Sequence, residues 1–297
     1  MAQGSPFQVS LDDLNRMDAA AFTAALGDIF ERSLWVAEAA AALRPFASLT
    51  ALHEAMTVSV QGGGEERQGA LIRAHPDLAG KAALAGELTA ESAAEQASAR
   101  LDQLSKDEYA TFHRLNDAYR ARFGFPFIIC VRRHGKSSIL RQFERRLENS
   151  PDTEREAALV EIARIAGLRL DERVSAPERL KVHGRLSTHV LDTFAGRPAA
   201  GVAIEFVDAA DGRVIASRET NADGRPDAPL ITGQPVPIGE YELRFDIGGY
   251  FARGHAPLAD PPFLGIVPVR FAVADPVGHY HVPLLVSPWS YTTYRGS

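Results

Sequence analysis

A single cysteine among 297 residues rules out a disulfide within the chain. Cys130 lies in the apolar run Phe127–Val131 and reads as a small core residue rather than a nucleophile. No apolar stretch approaches the roughly 20 residues that cross a bilayer. The start lacks a charged segment followed by an apolar one, so no secretory signal is expected. Neither charge dominates: 32 Lys and Arg against 38 Asp and Glu give a net charge of −6, no general reason to bind nucleic acid or an anionic membrane. The basic run Arg141, Arg145 and Arg146 is interrupted by acidic residues and reads as a solvated helix face. Internal repeats and low-complexity segments are missing. No lysine with a phosphate cradle suggests a pyridoxal or thiamine site, so no cofactor is expected. The chain is expected in the cytoplasm, acting on small molecules.

What is present is a globular composition, 45% hydrophobic and 24% charged, long enough for two domains with separate cores. The first half has helical spacing. Phe22, Leu26, Ile29 and Phe30 share a face, as do Leu140, Phe143 and Leu147, and again Leu159, Ile162 and Ile165. Ser105 and Glu108 have the spacing of a capping box. The second half alternates with period two: Val202, Ile204, Phe206; Tyr241, Leu243, Phe245; Val267, Val269, Phe271, Val273; Tyr280, Val282, Leu284, Val286. Asp211-Gly212 and Asp223-Gly224 mark turns. The expected architecture is an all-α helical bundle over residues 1–172, a polar linker over 173–181 containing Pro177, and an all-β sandwich over 182–297.

In the helical half, His75 stands in His-Pro-Asp-Leu-Ala-Gly-Lys, and Ser92 and Glu95 fall three apart, on one face of a helix. A histidine with a carboxylate on a rigid element can form an acid/base pair. The residues alone favour capping or surface roles for both, since one histidine and one glutamate are common in any chain. In the β half, His279 and His281 project from one face of a strand, with His189 and Arg225 elsewhere in the sequence. Three readings stand for these groups: exposed strand residues without a task, a zinc set, or imidazoles that activate water beside an arginine that holds the substrate.

The wording of the segments adds to this. HPDLAGK (75–81), SAAEQ (92–96), FGFPFIICV (123–131) and LRL (168–170) together resemble the 2-oxo-4-hydroxy-4-carboxy-5-ureidoimidazoline (OHCU) decarboxylases, over residues 7–172. Ser33-Leu34-Trp35 departs from that pattern, which has proline in the middle, and bears on a helix start. LSTHVLD (186–192), TNADGR (220–225) and the final Tyr294-Arg295-Gly296-Ser297 resemble the 5-hydroxyisourate hydrolases, transthyretin-related enzymes, over residues 182–297. The first resemblance implies that His75 handles the proton of the substrate hydroxyl and that Glu95 and Gln96 meet its ureido and ring groups. It further implies that Ser92 bonds the ring, that Arg169 meets the carboxylate, and that Pro76, Phe125 and Ile128 line the pocket. The second implies His189, Arg225 and His281 as catalytic groups, with Ser290, Tyr294, Arg295, Gly296 and Ser297 around the substrate and His279 in a supporting or structural role. It implies no metal, and a homotetramer with its sites in channels between subunits. Together they imply a transthyretin-like sandwich and two consecutive steps of urate breakdown, a hydrolase and a lyase on one chain. The alternative is one catalytic half, with the sandwich kept for ligand binding or assembly.

Overall fold

The computed structural model describes residues 9–80, 88–254 and 257–296. The chain forms two compact units. The first takes in the described residues to Arg132 together with Ser138–Val182, the second Arg133–Ser137 and the described residues from His183.

In the first unit the described helices are α1 (Leu11–Arg16), α2 (Ala19–Leu26), α3 (Leu34–Ala41), α4 (Leu49–Gln61), α5 (Gly64–Arg73), α6 (Ala90–Ser98), α7 (Lys106–Phe123), α8 (Lys136–Arg146) and α9 (Pro151–Arg173). A two-residue parallel pair, β1 (Val9–Ser10) with β2 (Val174–Ser175), joins its ends. The helix starts follow capping chemistry. Side chains of Asp18, Ser48, Thr89, Ser105 and Ser150 each accept a backbone N–H of the first turn, an interaction worth about 1 kcal/mol. Ser105 and Glu108 form the reciprocal box, and Gly124 closes α7 at φ 75°, a left-handed position that favours glycine. Leu34 occupies the first helical position of α3, where proline is common, and Ser33 before it makes no side-chain cap.

Helix α9 runs through the middle of this unit. It buries Ala158, Ile162, Ile165, Ala166, Leu168 and Leu170 in one apolar cluster, and it also buries Glu154, Glu161, Arg169 and Asp171. A second cluster packs Phe112, Tyr119, Phe127, Ile129, Ile139 and Phe143. Arg146, expected on a solvated face, is only 4% exposed. Its Nε donates to Glu154 Oε1 at 2.8 Å, its Nη1 to the Ile128 carbonyl at 2.7 Å, and its guanidinium lies 4.6 Å from the Phe127 ring centre. The period of α8 turns Arg146 inward beside Ile139 and Phe143, where Glu154 neutralises it. Cys130 is buried, and its N–H donates to Glu161 Oε2 at 2.8 Å.

The stretch 173–181 is tied to this unit. The buried Asp171 carboxylate accepts from Arg179 Nε at 3.0 Å and from Leu180 N–H at 2.8 Å, and Leu180 joins the core.

The second unit packs two sheets face to face. One runs in the order β11 (Ser290–Thr293), β10 (His279–Ser287), β3 (Gly184–Asp192), β4 (Arg197–Pro198), with β7 (Ile231–Gln234) also on β3. The other runs β6 (Val214–Glu219), β5 (Ala203–Asp208), β8 (Gly239–Asp246), β9 (Ile266–Val273). A short helix, α10 (Ile247–Arg253), follows β8. The alternating apolar sets point inward: Ile204, Phe206, Leu243, Phe245, Leu284 and Val286 are fully buried, while Phe271 packs at the margin. Strands β3 and β10 are parallel, with His281 opposite Ser187, His279 opposite Arg185 and Pro283 opposite His189. With Tyr280, Val282 and Leu284 inside, this register puts His189, His279 and His281 on the outer face of the sheet.

Candidate functional site

The first candidate site is a small cavity in the helical unit, lined by His75, Pro76, Ser92, Glu95, Gln96, Ile128 and their apolar neighbours. His75 ends the turn after α5 and is buried. Its Nδ1 lies 3.0 Å from the Leu71 carbonyl. A carbonyl only accepts, so Nδ1 carries the proton and Nε2 keeps its lone pair. Burial lowers its pKa to about 4, against the raising effects of the Leu71 hydrogen bond and the Glu31 charge, with Arg169 also lowering it. The ring is therefore a neutral base at physiological pH.

Gln96 and the following motif hold each other. Gln96 Oε1 accepts from Ala79 N–H at 2.9 Å and its Nε2 donates to the Asp77 carbonyl at 3.4 Å. Asn116 Nδ2 donates to the Leu78 carbonyl at 2.8 Å, and Arg120 Nε reaches both Asp77 oxygens at 2.9 and 3.0 Å. The turn after His75 is thus pinned from α6 and α7. Lys81 lies outside the described residues.

Ser92 and Glu95 do share the cavity face of α6. Glu95 receives a two-pronged hydrogen bond from Arg169: Nε to Oε1 at 2.8 Å and Nη2 to Oε2 at 3.0 Å. Arg169 Nη1 donates to Glu31 Oε2 at 3.1 Å. Burial works against the guanidinium charge, but the hydrogen bonds and charges of Glu95 and Glu31 outweigh it and raise the Arg169 pKa. Arg169 stands behind the lining residues, joined to carboxylates of the chain itself. Ile128 lines the cavity, and its carbonyl is held by Arg146. Phe125 does not line it: its ring packs edge-on against Tyr119, centroids 5.9 Å apart. Sequence reading missed Glu31, Asn116 and Arg146. Each meets its partners across long sequence separations or across the loop between two helices, so no periodicity marks it.

The second candidate site lies on the outer sheet face. Val190 N–H donates to the Gly224 carbonyl at 2.8 Å, and Asn221 Oδ1 accepts from Asp223 and Arg225 N–H at 3.0 and 3.3 Å. These bonds fasten the 220–225 turn beside β3. Gly224 has φ 71°, and a Cβ there would sit 2.3 Å from the Val190 carbonyl. The turn brings Arg225 near His189 and His281. Burial lowers the pKa of both histidines, and the Arg225 charge adds to this in each. His189 Nε2 is buried and has no hydrogen-bond partner among the described residues.

Ser187 Oγ lies 3.0 Å from His281 Nδ1 and 3.1 Å from His279 Nε2. One hydroxyl donates only once, so at least one of the two facing ring nitrogens carries a proton, and His281 Nε2 is left directed away from Ser187. Gly296 N–H donates to the His281 carbonyl at 2.8 Å, and a Cβ on Gly296 would meet His281 Cδ2 at 2.6 Å. Arg295 stacks over the Tyr280 ring at 4.7 Å. Ser290 Oγ bonds Ser287 Oγ at 2.9 Å, and Tyr294 is 57% exposed. Ser297 lies outside the described residues. Among the described residues no three His, Cys, Asp or Glu side chains are grouped to hold a metal, and no helix is long and apolar enough to cross a membrane.

The sequence profile of the family described as OHCU decarboxylase matches residues 15–171, and that of the HIUase/Transthyretin family matches residues 186–296. A 2-oxo-4-hydroxy-4-carboxy-5-ureidoimidazoline decarboxylase of Haloferax volcanii is 46% identical over 169 residues, 57% of this chain and 98% of that protein. A 5-hydroxyisourate hydrolase of Deinococcus radiodurans is 52% identical over 117 residues, 39% of this chain and 98% of that one. A crystal structure of (S)-allantoin synthase aligns with 97% of this chain and 100% of its own, at 34% identity and a TM-score of 0.50.

Proposed function

The chain belongs to the OHCU decarboxylase family through residues 15–171 and to the HIUase/Transthyretin family through residues 186–296, and from that premise we propose how its two halves act in sequence. The second half hydrolyses 5-hydroxyisourate to OHCU, and the first half decarboxylates OHCU to (S)-allantoin. The observation that carries this reading is the presence on one chain of two separate clusters of imidazole and guanidinium, each with imidazoles of lowered pKa.

For ring opening, His281 and His189 are neutral bases that position and deprotonate a water molecule. The water oxygen attacks a ring carbonyl, and the ring C–N bond breaks as nitrogen takes a proton. Arg225 offsets the negative charge on the tetrahedral oxygen. Ser290, Tyr294, Arg295, Gly296 and Ser297 surround the substrate when subunits assemble. The open outer face of the sheet supports a homotetramer with its sites between copies.

For decarboxylation, His75 Nε2 takes the proton of the substrate hydroxyl as carbon dioxide leaves. Electron density left on the ring carbon spreads toward neighbouring carbonyl and imine groups, where fixed donors stabilise it, and a proton then adds to the ring carbon from one side to complete a single enantiomer. Ser92, Gln96 and the backbone near Ile128 orient the ring, with Pro76 shaping the wall. Glu95, held by Arg169, meets the ureido N–H groups, and Arg169 supplies the positive charge nearest the substrate carboxylate.

The test is to give freshly made 5-hydroxyisourate to the purified protein and to follow absorbance and circular dichroism. The expected record is rapid loss of the hydroxyisourate band, then growth of the signal of one allantoin enantiomer. Decay at the rate of buffer alone, or a racemic product, would contradict the reading.

A further inference from the structure

Glu31 lies in the turn between α2 and α3 and is only 5% exposed. Burying a carboxylate costs several kcal/mol unless it is paired and hydrogen-bonded. Glu31 Oε2 accepts from Arg169 Nη1 at 3.1 Å and from the Ser92 hydroxyl at 3.4 Å. Arg169 is already neutralised by the two-pronged bond of Glu95, so stability alone asks for no second carboxylate there. Two carboxylates thus share one guanidinium, and the buried group carries a net negative charge. The Ser92 hydroxyl sits between them, since Arg169 Nη2 donates to Ser92 Oγ at 3.4 Å. With its proton given to Glu31 and one lone pair to Arg169, Ser92 has only its second lone pair for the cavity it lines.

We propose that Glu31 is a positioning residue for the decarboxylation step: by taking the Ser92 proton and bracing Arg169 opposite Glu95, it makes Ser92 a hydrogen-bond acceptor that reads an N–H group of the ureidoimidazoline. This rests on the decarboxylase reading of the first half. A glutamine at this position keeps the volume and removes the charge. Because the single oxygen Oε2 holds both Arg169 Nη1 and the Ser92 hydroxyl, the neutral amide oxygen grips both more weakly, and the Ser92 proton is released to turn into the cavity against the substrate N–H.

The experiment is a double-mutant cycle of Glu31→Gln with Ser92→Ala in the full chain, measuring carbon dioxide release from OHCU. Hydroxyisourate hydrolysis by the same chains reports on folding of the second half, and circular dichroism at 222 nm reports on the helices. E31Q is expected to raise KM at least tenfold with a smaller change in kcat, and to cost less than threefold once Ser92 is alanine. E31D, which keeps the charge but withdraws it by one methylene, is expected to recover part of the loss. Asp28→Asn, which removes an exposed ion pair to Arg173 a turn away, is expected to behave as wild type. Wild-type constants for E31Q, or losses that simply multiply in E31Q/S92A, overturn the proposal. If E31Q does not fold, E31D carries the test, and a wild-type KM for it overturns the proposal. A wild-type chain that opens hydroxyisourate but releases no carbon dioxide removes the decarboxylase reading itself, a failure distinct from a wild-type KM in E31Q.

Discussion

The decarboxylation step should tolerate acid far better than a histidine base in water would. Burial holds the His75 pKa at about 4 rather than 6.5, and this gap corresponds to about 3 kcal/mol against the charged ring. At pH 5.5 a histidine of ordinary pKa is about 90% protonated, whereas one at about 4 is about 3% protonated. Only the neutral ring has the Nε2 lone pair, because Nδ1 is committed to the Leu71 carbonyl. kcat/KM for carbon dioxide release should therefore stay level from pH 7.5 to about 5 and fall only as pH approaches about 4. The same gap acts on stability. The folded pKa is depressed, so the unfolded chain binds the extra proton. The neutral ring's contribution is present above pH 6.5 and is lost as pH falls toward about 4. The assay is the initial rate of appearance of optically active product across this range, with OHCU generated immediately before mixing. An acid limb with its midpoint between pH 6 and 7 would refute the reasoning, since it would mean that the ring is hydrated or that another group supplies the base.

Three further outcomes follow from single contacts. Arg146→Ala leaves the Glu154 carboxylate buried without its ion pair and should destabilise the helical half by about 3–5 kcal/mol; a loss below 1 kcal/mol in denaturant titration would show that water or Tyr119 replaces the arginine. Ser187→Ala frees His281 Nδ1 and should lower kcat for ring opening about tenfold while decarboxylation is unchanged, read by absorbance and by carbon dioxide release from the same sample; an unchanged kcat would remove tautomer control from the account. Gly296→Ala forces a methyl group onto the His281 ring and should slow ring opening with little effect on melting temperature, whereas wild-type kinetics would mean that the C-terminal segment moves aside freely.

The parts of this fold that the sequence made legible are those with local causes. The box of Ser105 and Glu108 closes within one turn, and the paired sets Tyr241–Phe245 and Tyr280–Val286 alternate because a pleated strand alternates. Glycine at 224 answers to a single backbone approach. Ser92 and Glu95 were legible as neighbours because both sit on one helix. The residues that hold these groups were not. Glu31 reaches Arg169 across 138 positions, Asn116 reaches Leu78 across 38, and Arg146 turns inward only because Glu154 meets it from the next helix. Periodicity reports which face of an element is apolar. It does not report which buried charge waits on another element, so a basic run that reads as solvated can supply an interior ion pair. Phe125 is the converse case: its motif is informative, yet packing against Tyr119 turns the ring away from the cavity.

Two independent sites on one chain, one centred on His75 and the other on His281, are tested by comparing His75→Ala with His281→Ala under hydroxyisourate and following both steps in each. The predicted result is that H281A leaves ring opening at the rate of buffer but still releases carbon dioxide from supplied OHCU, while H75A opens the ring normally and accumulates OHCU. Loss of both steps in either variant, or ring opening at wild-type speed in H281A, would contradict it.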